Sequence, residues 1–404
     1  MMNDLFAQRV NPDVSSALAG LFPQDPNPTA VTFAAGSPNE QLFPVKEVQA
    51  AFNTAIDTQG AHLFQYQSAQ GNSALREKLV TRIAKWGNVT TTADNILLTV
   101  GGQQGVELVA KTLLDPGDDI IVEVPTYIGA LAAFDLYQPH YHAVPLQADG
   151  LDLDALETTL QQHPNVKLLY TVPDYHNPTG ITMSVAKRQQ LVALANRYHF
   201  IILEDTPYRD LGYEGAPLPA IKSFDTEGRV IFLSSFSKIL MPALRTGWLI
   251  ADGELRDAIL KMRLASDLET TGVTHAAINA YLDANDLDAH IQRMTMHYKQ
   301  QRDAMLQGLT HYFPDEALFT HPAGGFFDWV TLPQGIDTGR LMLDVISPQA
   351  HVTYVPATNF YPQRDVHNAL RLSFSGVNPT QIDAGMHRLG DQLKNAVHAA
   401  YPVF

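Results

Sequence analysis

Ser235-Phe236-Ser237-Lys238, with Arg245 seven residues beyond the lysine, is the stretch of this 404-residue chain best equipped for chemistry. Residues 230–233 form an apolar, β-branched run, so Lys238 falls just past the end of a buried strand. A lysine that loses solvation has a lowered ammonium pKa, which makes it a usable amine nucleophile. The hydroxyls of Ser235 and Ser237 and the guanidinium of Arg245 suit a dianionic phosphate held beside that amine. A surface lysine in a serine-rich turn would carry the same letters, so its neighbours in space have to decide.

Those neighbours come from the elements that precede it. Short apolar runs at 96–100, 120–124, 166–172, 200–203 and 230–233 read as strands. The stretches 103–114, 128–137 and 185–198 read as the helices between them. Strands so uniformly apolar are covered on both faces, the mark of a mainly parallel sheet wrapped by helices. Beyond about residue 283 the pattern changes. A polar helix at 290–312, strands at 324–330, 352–355 and 370–374 and a helix at 381–393 predict a smaller α/β domain. Pro23, Pro26 and Pro28 mark an extended segment near the start. The expected division is an N-terminal arm and part of the small domain at 1–44, a large domain at 45–283, and the rest of the small domain at 284–404.

In open α/β sheets, ligands bind beyond the carboxyl ends of the strands. The unusual polar residues of this chain fall there repeatedly. Gly101-Gly102-Gln103 opens a helix whose free N–H groups favour a phosphate, although a glycine turn also serves a fold alone. Tyr127 can stack on a flat ring or simply pack in the core. The amide of Asn177, in Asn177-Pro178-Thr179-Gly180, can donate to a phenolate oxygen, and the same letters also make a plain turn. Asp205, in Asp205-Thr206-Pro207-Tyr208, is costly at a buried strand end unless it meets a cation such as a protonated pyridine nitrogen. Helix capping is the rival role for it. Amine, phosphate cradle, ring stack, phenolate donor and pyridinium partner together point to a Schiff base between Lys238 and pyridoxal phosphate.

Composition closes off several other classes. The net charge of −15, without a Lys/Arg block, disfavours nucleic acid and anionic membranes as partners. The chain has no cysteine, which removes disulfides, thiolate metal sites and a cysteine nucleophile. No metal-ligand set stands out. No leader sequence and no run of eighteen apolar residues is visible, so the expected location is the cytoplasm.

The chain resembles the fold-type I, class I/II aminotransferases, most nearly the branch of 2-aminoadipate and kynurenine aminotransferases. The resemblance rests on the spaced set Asn177-Pro178-Thr179-Gly180, Asp205-Thr206-Pro207-Tyr208, Ser235-Phe236-Ser237-Lys238 and Arg245. It extends from Phe33-Ala34-Ala35-Gly36-Ser37-Pro38 and Leu42-Phe43-Pro44 through Tyr66 to Arg371-Leu372-Ser373-Phe374.

It implies a large domain with a mainly parallel seven-stranded sheet, a smaller α/β domain, and pyridoxal phosphate bound to Lys238. Asp205 is then the ring-nitrogen partner and Tyr127 the ring stack. Asn177 and Tyr208 hold the phenolate, and Gly102, Gln103, Ser235, Ser237 and Arg245 surround the phosphate. Tyr66 is implied to reach the phosphate of a neighbouring subunit in a homodimer. Arg371 is implied to fork onto the substrate carboxylate, with Asn177 and Gly36 beside it.

Two departures stand out. Gly102 replaces the Ser or Thr that relatives often carry, and no arginine lies between Arg9 and Arg76 to bind an acidic side chain. The expected activity is transfer of an amino group from an aromatic or branched-chain L-amino acid to a 2-oxo acid such as 2-oxoglutarate. A C–S β-lyase shares the same cofactor residues. A regulator with an aminotransferase-like domain would need a DNA-binding segment ahead of the family-like region.

Overall fold

A computed structural model describes residues 5–10 and 27–400. The expected extended segment at Pro23 and Pro26 lies outside them, and Pro28 lies just inside. The chain enters with strand β1 (Val31–Thr32), then helices α1 (Val45–Gln59) and α2 (Ser73–Gly87). The alternating portion follows: β2 (Ile96–Thr99), α3 (Gly101–Leu113), β3 (Asp119–Val124), α4 (Ile128–Phe134), β4 (His140–Gln147) and β5 (Gly150–Leu151). It continues with α5 (Leu153–Gln162), β6 (Leu168–Thr171), α6 (Val185–Tyr198), β7 (Ile201–Asp205), β8 (Val230–Ser235) and β9 (Gly247–Ile250).

These strands form one eight-stranded sheet in the order β2-β9-β8-β7-β6-β3-β4-β5. The pairings β8-β7-β6-β3-β4 are parallel, while β9 runs antiparallel to both its neighbours. Seven strands of four to eight residues match the expected sheet. The eighth, β5, is a two-residue hairpin partner of the end of β4. The central strands are buried except at an end residue or two because separate apolar clusters lie on the two faces. Val106, Phe134, Tyr170 and Leu233 pack on one, and Leu156, Leu169, Leu191 and Ile202 on the other.

Helices α7 (Gly253–Asp267), α8 (Gly272–Ala284) and α9 (Leu287–Tyr312) lead out of this layer. The remaining strands and α-helices are β10 (Leu318–Phe319), β11 (Phe327–Thr331), the short helix α10 (Thr338–Leu341), β12 (Val352–Thr353), β13 (Val355–Pro356), β14 (Ala369–Ser373) and α11 (Pro379–Ala400). A four-stranded sheet, β10-β11-β14-β13, carries Arg371 on its inner strand β14. The run expected as one strand at 352–355 is split: Val352 and Thr353 pair with β1, and Val355 with Arg371. The N-terminal segment thereby joins the C-terminal portion, and residues 33–37 are laid beside the mouth of the large sheet.

Candidate active site

The carboxyl ends of β3, β6, β7 and β8 open onto a cavity of about 250 Å³ that reaches the inner strand of the smaller sheet. Lys238 sits three residues beyond the last residue of β8. Its Nζ donates to the Gly36 carbonyl at 2.8 Å and lies about 6 Å from the ring centres of Tyr208 and Phe326. Its side chain keeps some surface open to the cavity, yet protein crowds it on the other sides. Burial, with Arg371 and Arg245 adding repulsion and Asp205 opposing them, lowers its ammonium pKa to about 8.

Asp205 is the final residue of β7, and no helix follows it, so capping is not its role. The Tyr170 hydroxyl donates to its Oδ2 at 2.8 Å. Among the described residues no lysine, arginine or histidine forms an ion pair with it. Burial therefore raises its carboxyl pKa to about 7, against the smaller lowering effects of the Tyr170 hydrogen bond and Lys238.

Arg371 is the opposite case, a buried cation without a carboxylate partner among the described residues. Its Nη1 donates to Asn177 Oδ1 at 2.8 Å and its Nη2 to the Ala34 carbonyl at 2.5 Å, while buried Nε has no partner. The guanidinium lies 4.3 Å from the ring centre of Phe327 and 5.1 Å from that of Phe360. Burial pulls its pKa down to about 10. Asn177 is itself held from below. His176, its chain neighbour, has Nδ1 2.9 Å from Thr179 Oγ1 and Nε2 3.2 Å from Glu123 Oε2. Glu123 also accepts from Thr171 Oγ1 and the Val172 N–H, so the loop is tied to the ends of β3 and β6.

A third group forms an anion cup. Helix α3 starts at Gly101, and its first free N–H groups face the cavity through Gly102 and Gln103. Gln103 donates to the Gly129 carbonyl at 2.6 Å. Ser235 Oγ donates to Ser237 Oγ at 2.8 Å and accepts from the Ser237 N–H. Arg245 donates to the Val100 carbonyl at 3.0 Å and has no carboxylate partner among the described residues. A Cβ on Gly101, whose φ is +71°, would stand 2.6 Å from Arg245 Nη2, so this close approach requires glycine. In an acidic chain the cavity gathers Lys238, Arg245 and Arg371 against one carboxylate, Asp205, and therefore attracts anions.

The model of the class I and II aminotransferases matches residues 29–389. The chain belongs to that family. An aromatic-amino-acid aminotransferase of Thermococcus litoralis is 38% identical over 90% of this chain and 88% of its own length. A Pyrococcus horikoshii kynurenine aminotransferase structure superposes with a TM-score of 0.91 at 35% identity, covering 98% of each chain. An alpha-aminoadipate aminotransferase structure from Thermus thermophilus, complexed with N-(5'-phosphopyridoxyl)-L-leucine, superposes at 0.89 with 29% identity, covering 99% of this chain and all of that one.

The family's cofactor is pyridoxal phosphate, and this aminotransferase has the residues for it. A buried carboxylate lacks a cation, a buried guanidinium has an orphan Nε, and an anion cup contains no anionic side chain. Of the residues expected to meet, Gly36, Gly102, Gln103, Tyr127, Asn177, Asp205, Tyr208, Ser235, Ser237, Lys238, Arg245 and Arg371 all line the one cavity. Tyr66 does not: it is 77% exposed, next to the exposed Phe64. Sequence reasoning passed over Tyr170 and Phe327. Both look like ordinary strand residues, and only the placement of Tyr170 just before the end of β6 hinted at more.

Gly102 offers a direct test of the anion cup in this aminotransferase. A Cβ there meets nothing within 4 Å, and the backbone needs no positive φ. Gly102→Ser should therefore fold unhindered, with about 0.5 kcal/mol of helix stabilisation from losing a glycine. It places a hydroxyl beside the cup, and a hydrogen bond to a charged group contributes about 1.5 to 3 kcal/mol. The expected result is pyridoxal phosphate held roughly tenfold more tightly, measured as cofactor retained on dilution.

Proposed function

We propose that this aminotransferase takes its amino group from aromatic or branched-chain L-amino acids and passes it to a 2-oxo acid such as 2-oxoglutarate. The observation that carries the reading is Arg371, a buried, carboxylate-free guanidinium facing Lys238 across an aromatic-walled cavity. It suits the α-carboxylate that every amino and 2-oxo acid presents. Its apolar and aromatic wall includes Tyr127, Phe327, Ala35 and Val172, and no cation beyond Lys238, Arg245 and Arg371 lines it among the described residues. Residues 11–26 contain no Lys or Arg either. An acidic side chain would thus enter without a charge partner from this chain.

Pyridoxal phosphate supplies an aldehyde that condenses with amines and a ring that accepts an electron pair. The protein supplies the rest. Arg371 and Asn177 orient the carboxylate so that the substrate's Cα proton faces Lys238. Lys238, its pKa brought near neutrality by burial, would take that proton from Cα and deliver it to the carbon that was the cofactor's aldehyde, leaving the amino group with the cofactor. Asp205, fixed by Tyr170, would hold a proton on the ring nitrogen. Tyr127 would stack on the ring, and Tyr208 and Asn177 would hold the phenolate oxygen. Gly102, Gln103, Ser235, Ser237 and Arg245 would bind the phosphate. Closely packed Phe327 and Tyr208 limit water at the reacting carbon.

The exposed Phe64 and Tyr66 support a homodimer in which Tyr66 reaches the partner's phosphate cup, since paired exposed aromatics mark contact surfaces. The division into an arm with part of the small domain (1–44), a large domain (45–283) and a small domain (284–404) fits the pairing of β1 with β12. No helix among the described residues is long and apolar enough to cross a membrane, which fits a cytoplasmic enzyme.

Glutamate formed from 2-oxoglutarate with a panel of donors tests the specificity. Phenylalanine, tyrosine or leucine should exceed aspartate and 2-aminoadipate by about tenfold or more in kcat/KM, the discrimination an apolar pocket provides. Preference for an acidic donor would overturn the reading while leaving the aminotransferase assignment intact.

A further inference from the structure

At the amino end of β3, far from the cavity, three metal-ligating side chains meet that no catalytic role uses. Asp119 opens β3, His142 lies on the neighbouring parallel strand β4, and His163 follows the last residue of α5. Asp119 pairs in register with His140, so His140 and His142, two apart on one strand, point to the same face. Further along that face Val144 packs on Leu156 and Leu160 of α5, which is why the end of α5 brings His163 onto His142. Sequence spacing gave no sign of this meeting, because the three come from separate elements.

The contacts within the group are close. Asp119 Oδ1 is 2.8 Å from His142 Nε2 and 3.8 Å from His140 Nδ1. The rings of His142 and His163 stack with centres 3.8 Å apart and planes inclined by 29°. One ligand atom from each of Asp119, His142 and His163 fits within a 4.8 Å set. Ligands of a tetrahedral zinc ion, at about 2.1 Å from the metal, stand roughly 3.4 Å apart, so small rotations of these side chains would suffice. Lys167, the nearby cation, is engaged by Asp118, and no lysine or arginine pairs with Asp119 among the described residues. All three groups are only partly buried, which leaves an approach for an ion.

We propose that Asp119, His142 and His163 bind one divalent transition-metal ion, with His140 placed to join as a fourth ligand. Two imidazoles and a carboxylate suit Zn²⁺, Co²⁺ or Ni²⁺ and not the oxygen-seeking Mg²⁺ or Ca²⁺. With β3 rising about 3.3 Å per residue, the site lies roughly 16 Å from the strand end that leads to Tyr127. Its role is therefore structural. Among the described residues, 140–145 of β4 pair only with β3, so this stretch is a sheet edge. The ion would clip that edge to the end of α5.

Titration of the holoenzyme with cobalt(II) chloride, followed by visible absorption and displaced by zinc chloride, tests the site. The wild type should take up one cobalt ion with a tetrahedral-type spectrum, and zinc should raise its Tm by about 2 to 4 °C at saturating concentration. His142→Ala, His163→Gln and Asp119→Asn should each weaken cobalt binding at least tenfold while transamination stays at the wild-type rate. His163→Gln, at a helix end, decides the matter should His142→Ala disturb the strand. Cobalt uptake equal in the wild type and in His163→Gln, or absent from the wild type, would overturn the proposal.

Discussion

Lys238→Ala is expected to lower transamination by on the order of 10⁴-fold or more. A positioned general base contributes about 10² to 10⁴, and the same amine is also the covalent anchor of the cofactor. The substitution removes the amine and leaves its surroundings in place, because among the described residues Nζ makes one hydrogen bond, to the Gly36 carbonyl. Cofactor should still enter the variant, since Arg245, the two serines and the start of α3 are untouched. Borohydride treatment should then attach no cofactor mass to the variant while labelling the wild type stoichiometrically. Near-normal turnover together with borohydride labelling at another lysine would remove Lys238 from the centre of the site. The titration of this lysine supplies an independent check. In cofactor-free protein its labelling by an uncharged amine reagent should rise through pH about 8, well below the range of an exposed lysine.

Lys238 was legible because the strand leading to it is a continuous apolar run that stops abruptly at serines. The same holds for Asp205 after β7, Asn177 after β6 and Tyr127 after β3. In a parallel sheet all these carboxyl ends share one edge, so residues at successive strand ends converge whatever their separation in the chain.

Arg371 is different. It lies on β14 of another sheet, and its contact with Asn177, 194 residues away, has no local signal. Only likeness to a family pointed to it. Strand β4 escaped notice for a physical reason as well. Over residues 140–145 it is a sheet edge with His140, His142 and Pro145 in it, so it shows neither the apolar run of a buried strand nor a clean alternation. Strand β9 escaped because it follows Arg245 so closely that it merges with the phosphate-facing loop. Tyr170 shows the limit most clearly. Its hydroxyl matters only because the last residue of the next strand is Asp205, and that register appears only once β6 and β7 are paired.

Asp205→Asn should separate function from stability. Asn keeps the size of the side chain and an oxygen to accept from Tyr170, but it cannot hold a proton on the ring nitrogen through an ionic contact. Loss of a charge partner in a buried site costs about 3 to 5 kcal/mol, so kcat is expected to fall by roughly 10² to 10⁴. In cofactor-free protein the effect should reverse. The folded-state carboxyl pKa of about 7 lies above its unfolded value near 3.9, so the unfolded chain releases this proton first as pH rises. Stability contributed by the protonated carboxyl is thus complete below about pH 4 and is lost as pH rises toward 7. Asparagine carries no such loss. The cofactor-free variant should accordingly be more stable than the wild type at pH 7.5, by on the order of 2 to 4 kcal/mol, and equal to it near pH 4. Urea unfolding of both proteins at the two pH values measures this difference. A variant less stable than the wild type at pH 7.5 would mean that Asp205 already has a favourable charge partner without the cofactor. The burial of an unpaired acid beneath the cavity would then no longer account for a pyridinium site. The carboxylate is costly to the empty protein because its partner arrives with the cofactor, and the same mismatch gives bound pyridoxal phosphate its share of the folding free energy.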